Sequence, residues 1–261
     1  ARLRTRASMI MDRRVLEDYG QGEAATSDEE QIAFFDAYAA AREGSGDHRW
    51  QEQGRVWLYK YNPVRVAFLR RVARGGGALG GLRVLDVGCG TGVFCEALAQ
   101  NGALVTGIDL ASNAVSFAVR RAKALSLPIR YETRAASSIN ERFDAVTAME
   151  VIEHVPDYAA LLRECAARVE PGGVLLVSTI NRTWKSWLYA ILMAEHVLRL
   201  LPRGTHDWRR FVTPAEIEAV LRQTGFEDIA ITGVTMSIRT GLLRFAHDRA
   251  VNYMIAARRR T

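Results

Sequence analysis

The spacing of apolar residues changes twice along the chain, and the changes divide it into three parts. Residues 1–27 alternate Arg, Ala, Ser and Gly with no clear period and read as a loose tail, with Met9 or Met11 as candidate native starts. From Asp28, the positions Gln31, Phe34, Phe35, Tyr38 and Ala39 recur at helical spacing and predict one face of an amphipathic helix, ended by a Gly/Ser break at 44–47. A second helix is predicted over 61–74. There Asn62-Pro63 reads as a cap followed by a first-turn proline, Val66, Leu69 and Val72 share a face, and Gly75-Gly76-Gly77 closes the element. Beyond it the rhythm turns to short β-branched runs alternating with helical stretches, with strands predicted at 83–87, 104–108, 129–132, 143–148 and 174–179. Two further strands, 229–234 and 251–257, are separated by sixteen residues without an obvious helical crossover, which predicts an antiparallel edge pair. The expectation is an α/β chain: a mostly parallel seven-stranded sheet with helices on both faces, in one domain over 28–261.

Composition narrows the classes. At 261 residues, 49% apolar and 25% charged, the chain is an ordinary globular one, which excludes disordered, collagen-like and disulfide-scaffold classes. The longest uninterrupted apolar run, 187–194, stops at Glu195 and is too short to cross a bilayer. Cys89, Cys95 and Cys165 show no metal-type spacing and suit a reducing compartment, so a cytoplasmic location is expected. The net charge of +6 is unevenly placed: residues 21–54 carry −6 and residues 55–83 carry +7. A basic stretch of this kind serves a solvated surface, an anionic membrane, an anionic cofactor or nucleic acid. Nucleic acid is the weakest of these, because the stretch has no interleaved aromatic stacking motif beyond Trp57, Tyr59 and Tyr61.

The sharpest chemistry lies at 84–92, where an apolar strand runs through Asp86 into Gly88-Cys89-Gly90-Thr91-Gly92 and then a helix. Glycines there let a ligand approach the backbone, and the helix start offers free N–H groups. Seventeen residues past Gly92 a second strand ends at Asp109, which reads either as an acceptor for ribose hydroxyls or as a cap for the helix from Ala111. The dinucleotide pattern G-x-G-x-x-G is absent, because Val93 occupies its last position. After the fourth predicted strand, Glu150, Glu153 and His154 stand at i, i+3 and i+4 and would share a helical face. Such a group can hold a divalent ion, Mg²⁺ by its carboxylates or a softer ion such as Zn²⁺ by its histidine. It can also provide a general base, or merely complement a helix dipole. Finally, Trp184, Trp187, Leu188, Ile191, Leu192, Leu198 and Leu201 lie among Arg182, Lys185, Arg199 and Arg203. The insertion 182–210 therefore reads as an interfacial helix or as a lid over the core.

The glycine motif at 86–92, Asp109, Phe143-Asp144 and Pro171-Gly172-Gly173 together resemble the class I S-adenosylmethionine-dependent methyltransferases, with their Rossmann-like sheet. Four blocks narrow the resemblance to the UbiG type of ubiquinone-biosynthesis O-methyltransferase: 61–65, 149–157, 178–207 and 251–254. The resemblance implies methylation of a phenolic hydroxyl on a polyprenylated catechol or demethylubiquinol, at a membrane surface and beside other enzymes of the pathway. It implies that Arg65, Asp86, Gly88, Gly90, Gly92, Asp109 and Met149 bind S-adenosylmethionine, that Glu150, Glu153 and His154 hold a divalent cation, and that Glu150 and His154 act on the phenolic proton. Four places depart from the family pattern: no acid occurs at 134–136 for the adenine, Tyr59 stands where a histidine is common, Ala40 to Asp47 replaces a tryptophan-rich start, and Met236-Ser237-Ile238 replaces a Tyr-Asn-Pro loop, the last three being positions expected around the substrate mouth. Those departures leave open an O-methyltransferase for another phenolic or natural-product metabolite.

Overall fold

The computed structural model describes residues 48–73, 77–188, 208–237 and 240–261, with Glu29, Ile32, Ala33 and Asp36 as isolated positions before them. The expected tail, the aromatic face of 31–39 and residues 189–207 of the expected insertion lie outside the described residues.

The core is one sheet of eight strands, built from β1 (Arg83–Val87), β2 (Leu104–Asp109), β3 (Arg130–Thr133), β4 (Phe143–Met149), β5 (Val169–Ile180), β6 (Phe226–Met236), β7 (Leu243–Ala246) and β8 (Asn252–Arg259). Their spatial order is β3-β2-β1-β4-β5-β8-β6-β7. The first five pair in parallel, whereas β8 runs antiparallel to both β5 and β6, and β7 is antiparallel to β6. The sheet thus has one strand more than the seven expected, and its antiparallel part is three strands rather than a pair.

Alternation along the central strands explains why both faces are covered. Leu85, Val87, Val146, Ala148, Leu175, Val177, Tyr253 and Ile255 point to one buried cluster, under α4 (Tyr158–Ala167) and α5 (Pro214–Gln223). Their chain neighbours Val84, Ala145, Val174, Leu176, Met254 and Ala256 point to a second, with residues of α1 (His48–Val72) and α2 (Val93–Gln100). Strands apolar on both faces are the mark of a sheet buried between helices; each fully buried Val or Leu here contributes roughly 1.5–3 kcal/mol. The remaining helix, α3 (Ser112–Ala124), packs on β2 and β3.

Helix α1 corrects one sequence expectation. It runs from His48 straight through Pro63, so Asn62-Pro63 is interior and not a start. Asn62 is therefore no cap: its Nδ2 donates to the Val93 carbonyl at the beginning of α2, 2.9 Å away. Proline removes one helical N–H, and burial of Val64, Val66, Phe68 and Leu69 around it offsets that loss.

Candidate active site

The chain passes from β1 outward to β2 and β3, then crosses back to β4, so the strand order reverses between β1 and β4. A crevice opens at such a point beyond the carboxyl ends of the strands. The glycine loop after β1, Asp109 at the end of β2, and Met149-Glu150 at the end of β4 all converge there.

The glycines of the loop have different surroundings. Gly88 (φ 69°) presses on Val151, whose Cγ2 lies 2.5 Å from where a Cβ would stand, and Gly92 is filled in by Tyr131 and Ala118. Gly90 (φ 51°) alone among them faces open space, with nothing from the described residues within 4 Å of that point, so it is where a ligand can come against the backbone. Its N–H donates to Asp109 Oδ2 at 2.7 Å, and the Ala111 N–H donates to Oδ1 at 2.9 Å. Asp109 thus ties the loop to the end of β2. Burial pushes its carboxyl above the usual range, against the pull of those backbone donors.

Asp86 supports the loop from beneath. Its side chain is only 2% exposed and accepts from Thr147 Oγ1 at 2.6 Å and Cys95 Sγ at 3.2 Å. Burial raises its pKa to about 6, although both of these donors pull it down. A carboxyl raised in the folded state stabilises fully below its unfolded pKa near 4, and that contribution disappears as pH rises through about 6. Equilibrium urea unfolding between pH 4 and 7 should show this loss in the wild-type protein and not in Asp86→Asn; parallel pH profiles would contradict it.

Glu150 is the unusual residue. It follows β4 in the left-handed region, φ 53°, where few side chains other than glycine settle. Its N–H donates to the Ser178 carbonyl, and its Oε1 accepts from Ser178 Oγ at 2.6 Å and from Arg65 Nη2 at 3.2 Å. These bonds from the neighbouring strand β5 and from α1 hold the strained residue in place. The expected helix beginning at Glu150 is not formed: a single 3₁₀ turn, Ile152–His154, follows, because Glu150 leaves helical dihedrals at once. Glu153 on that turn is buried and accepts from Thr179 Oγ1 at 2.7 Å. Burial, and then the charge of Glu150, push its carboxyl well above the usual range. Glu150 and Glu153 are thus brought together, while His154 is half-buried at the end of the turn. Among the described residues no three His, Cys, Asp or Glu side chains converge as a metal-holding group, so the expected three-ligand set is not assembled as such.

Arg65 is enclosed by the Tyr61 ring at 5.1 Å and the Phe94 ring at 5.9 Å. Among the described residues its buried Nε and the buried Oδ1 of Asn62 have no partner, so a donor and an acceptor one helical turn apart are left for a ligand. Tyr61 accepts from Asn252 Nδ2 at 2.6 Å, and burial followed by the Glu150 charge raises its phenol to about 12. Tyr61, Ser178, Thr179 and Asn252 carry no individual role in the sequence pattern, and Asn62 reads there only as a helix cap. For Ser178 and Thr179 a signal was available: they are polar residues closing an otherwise apolar run. Tyr59, one of the departures, is not at the mouth. Its hydroxyl donates to buried Glu96 at 2.7 Å and accepts from Arg121 at 2.8 Å, joining α1, α2 and α3.

Of the insertion, the described ends show exposed tryptophans: Trp184 is 70% and Trp187 48% exposed, with Trp208 nearby donating to the Thr183 carbonyl. Among the described residues no helix is long and apolar enough to cross a membrane.

Residues 35–231 match the family described as "Methyltransferase domain". The chain is 44% identical over 223 residues to the ubiquinone biosynthesis O-methyltransferase of Methylobacterium sp. (strain 4-46), covering 80% of this chain and 89% of that one. It is 40% identical to the enzyme of the same description from Pseudomonas aeruginosa, covering 89% and 97%. Among solved structures, the magnesium protoporphyrin IX methyltransferase of Synechocystis PCC 6803 with bound S-adenosylmethionine shares the fold, with a TM-score of 0.60 at 22% identity and coverage of 91% and 100%.

Proposed function

We propose, for a chain that belongs to the methyltransferase-domain family and within it to the ubiquinone biosynthesis O-methyltransferases, that Glu150 carries the chemistry by which the enzyme methylates a phenolic hydroxyl of a polyprenylated catechol. The observation that carries this reading is Glu150 itself: a carboxylate forced into the left-handed region beside the glycine loop, fixed by Ser178 and Arg65.

The residues fit S-adenosylmethionine. Gly90 leaves a cradle that a Cβ would fill, Asp109 would face the ribose side, and Arg65 Nε and Asn62 Oδ1, without partners among the described residues, would answer a carboxylate and an ammonium at the amino-acid end. Met149, buried at the end of β4, would line the adenosine edge. Bound there, the cofactor supplies a methyl group on a sulfonium, an electrophile that a phenolate oxygen attacks in line.

The protein's own part is the oxygen. A neutral phenol, pKa ~10, is a poor nucleophile at neutral pH. Glu150 accepts its proton, with His154 as the second base at the same edge, and Arg65 and Ser178 keep Glu150 from swinging away. A divalent cation on Glu150 and Glu153, with His154 adjoining, would lower the phenol pKa further. What favours it is the pairing of buried Glu153 with half-buried Glu150, whose repulsion either a proton on Glu153 or a cation relieves. The insertion, with its exposed Trp184 and Trp187 among basic residues, would rest on an anionic membrane surface and admit the lipid substrate, and the enzyme would then sit peripherally on the cytoplasmic side.

The test is transfer of labelled methyl from S-adenosylmethionine to a short-chain prenylated catechol, in matched samples with Mg²⁺ and with excess EDTA. Metal-dependent product is expected. Full activity in EDTA would remove the cation and keep the rest; cofactor binding without product on the catechol would point to another phenolic substrate.

A further inference from the structure

We propose that Tyr61 determines specificity by donating a hydrogen bond from its phenol to the second ring oxygen of an ortho-diphenol, the oxygen next to the one methylated. This rests on the reading of the protein as a catechol O-methyltransferase. Tyr61 lies on α1, but its hydroxyl is carried to the reacting edge by a partner far along the chain. Asn252, the first residue of β8, stands opposite Ile180 of β5, two residues beyond the Ser178 that bonds Glu150. Through Asn252 Nδ2, at 2.6 Å, the Tyr61 oxygen is therefore fixed at the same carboxyl edge as the Glu150 carboxylate.

The hydrogen-bond inventory gives the direction. A phenol has one proton to give and accepts through its oxygen. Asn252 uses the oxygen, and among the described residues no acceptor takes the proton. Arg65 links the two sides of the site, its guanidinium over the Tyr61 ring at 5.1 Å and its Nη2 on Glu150 at 3.2 Å. One guanidinium thus spaces an uncommitted donor from an acceptor, both half-buried at the same mouth. Adjacent ring oxygens ask for that pair: Glu150 receives the proton of the nucleophilic oxygen while Tyr61 donates to its neighbour. With a single phenolic hydroxyl, the Tyr61 donor would be desolvated and unmet, and sites built to bond a hydroxyl reject analogues that lack it.

The experiment compares two prenylated substrates that differ only in whether the ring carries two ortho hydroxyls or one, using the full chain and Tyr61→Phe. In the wild type, kcat/KM should favour the diphenol. In Tyr61→Phe that preference should fall about tenfold or more, through a higher KM for the diphenol and a higher kcat/KM for the monophenol, which no longer leaves a donor unmet. Asn252→Asp provides an independent variant, because a carboxylate there captures the Tyr61 proton; it should lower the same ratio with Tyr61 intact. Equal losses on both substrates, or an unchanged ratio in both variants, would overturn the role of Tyr61. A wild-type enzyme inactive on both rings yet binding the cofactor would overturn the reading on which it rests.

Discussion

Glu150→Gln should lower kcat by roughly 10²–10⁴-fold, the range lost when a positioned general base is removed, while leaving the affinity for S-adenosylmethionine close to that of the wild type. The amide is isosteric, so Ser178 can still donate to Oε1, and the left-handed backbone at φ 53° is unaltered. What goes is the capacity to take a proton, together with the negative charge that meets Arg65 and would meet a cation. A companion substitution separates strain from chemistry: Glu150→Gly relieves an unfavourable dihedral whose cost is of order 1 kcal/mol or more, so it should unfold at no lower denaturant concentration than Glu150→Gln while being equally inactive. Activity in either variant within a few-fold of wild type would move the base to His154.

Arg65→Met should weaken S-adenosylmethionine binding by about 30-fold or more, as expected when one partner of a buried, hydrogen-bonded charge pair is truncated at ~2–5 kcal/mol. Methionine keeps most of the volume between the Tyr61 and Phe94 rings but cannot meet a carboxylate, and it leaves Glu150 without its cation. Both consequences are measurable: cofactor affinity by equilibrium titration, and stability by urea midpoint. Lysine should restore little, since a point charge lacks the planar fork that reaches Glu150 and a ligand together. Cofactor affinity unchanged in Arg65→Met would mean that the buried Nε does not serve the ligand.

The parallel body of the fold was legible because its strands are apolar on both faces, and the glycine loop and Asp109 were legible as the ends of two neighbouring strands that meet at one crevice. What escaped did so for identifiable reasons. Leu243–Ala246 is four residues long, lies on the sheet edge and carries Arg244 in its middle, so it offers neither length nor alternation. Asn62-Pro63 looked like a helix start because local preference says nothing of a carbonyl on another helix that takes up the asparagine. Glu150, Glu153 and His154 have helical spacing, yet bonds from Ser178 and Arg65 impose a backbone no spacing rule foresees. Tyr61 and Asn252 are 191 residues apart, a pairing that exists only once the sheet has closed.

That closure has a consequence for how the protein is made. Strand β8 sits between β5 and β6, the hinge line joining the parallel body to its antiparallel margin, yet it is the last of the eight to be synthesised. Until it emerges, β5 has one bare edge and the β6–β7 hairpin has nowhere to dock, so the nascent chain carries two rows of unpaired backbone groups open to other chains. Bridging them needs contacts between residues far apart in sequence, which form slowly. Folding is therefore gated by β8, and the chain is most exposed to misassociation in the interval before that strand is synthesised.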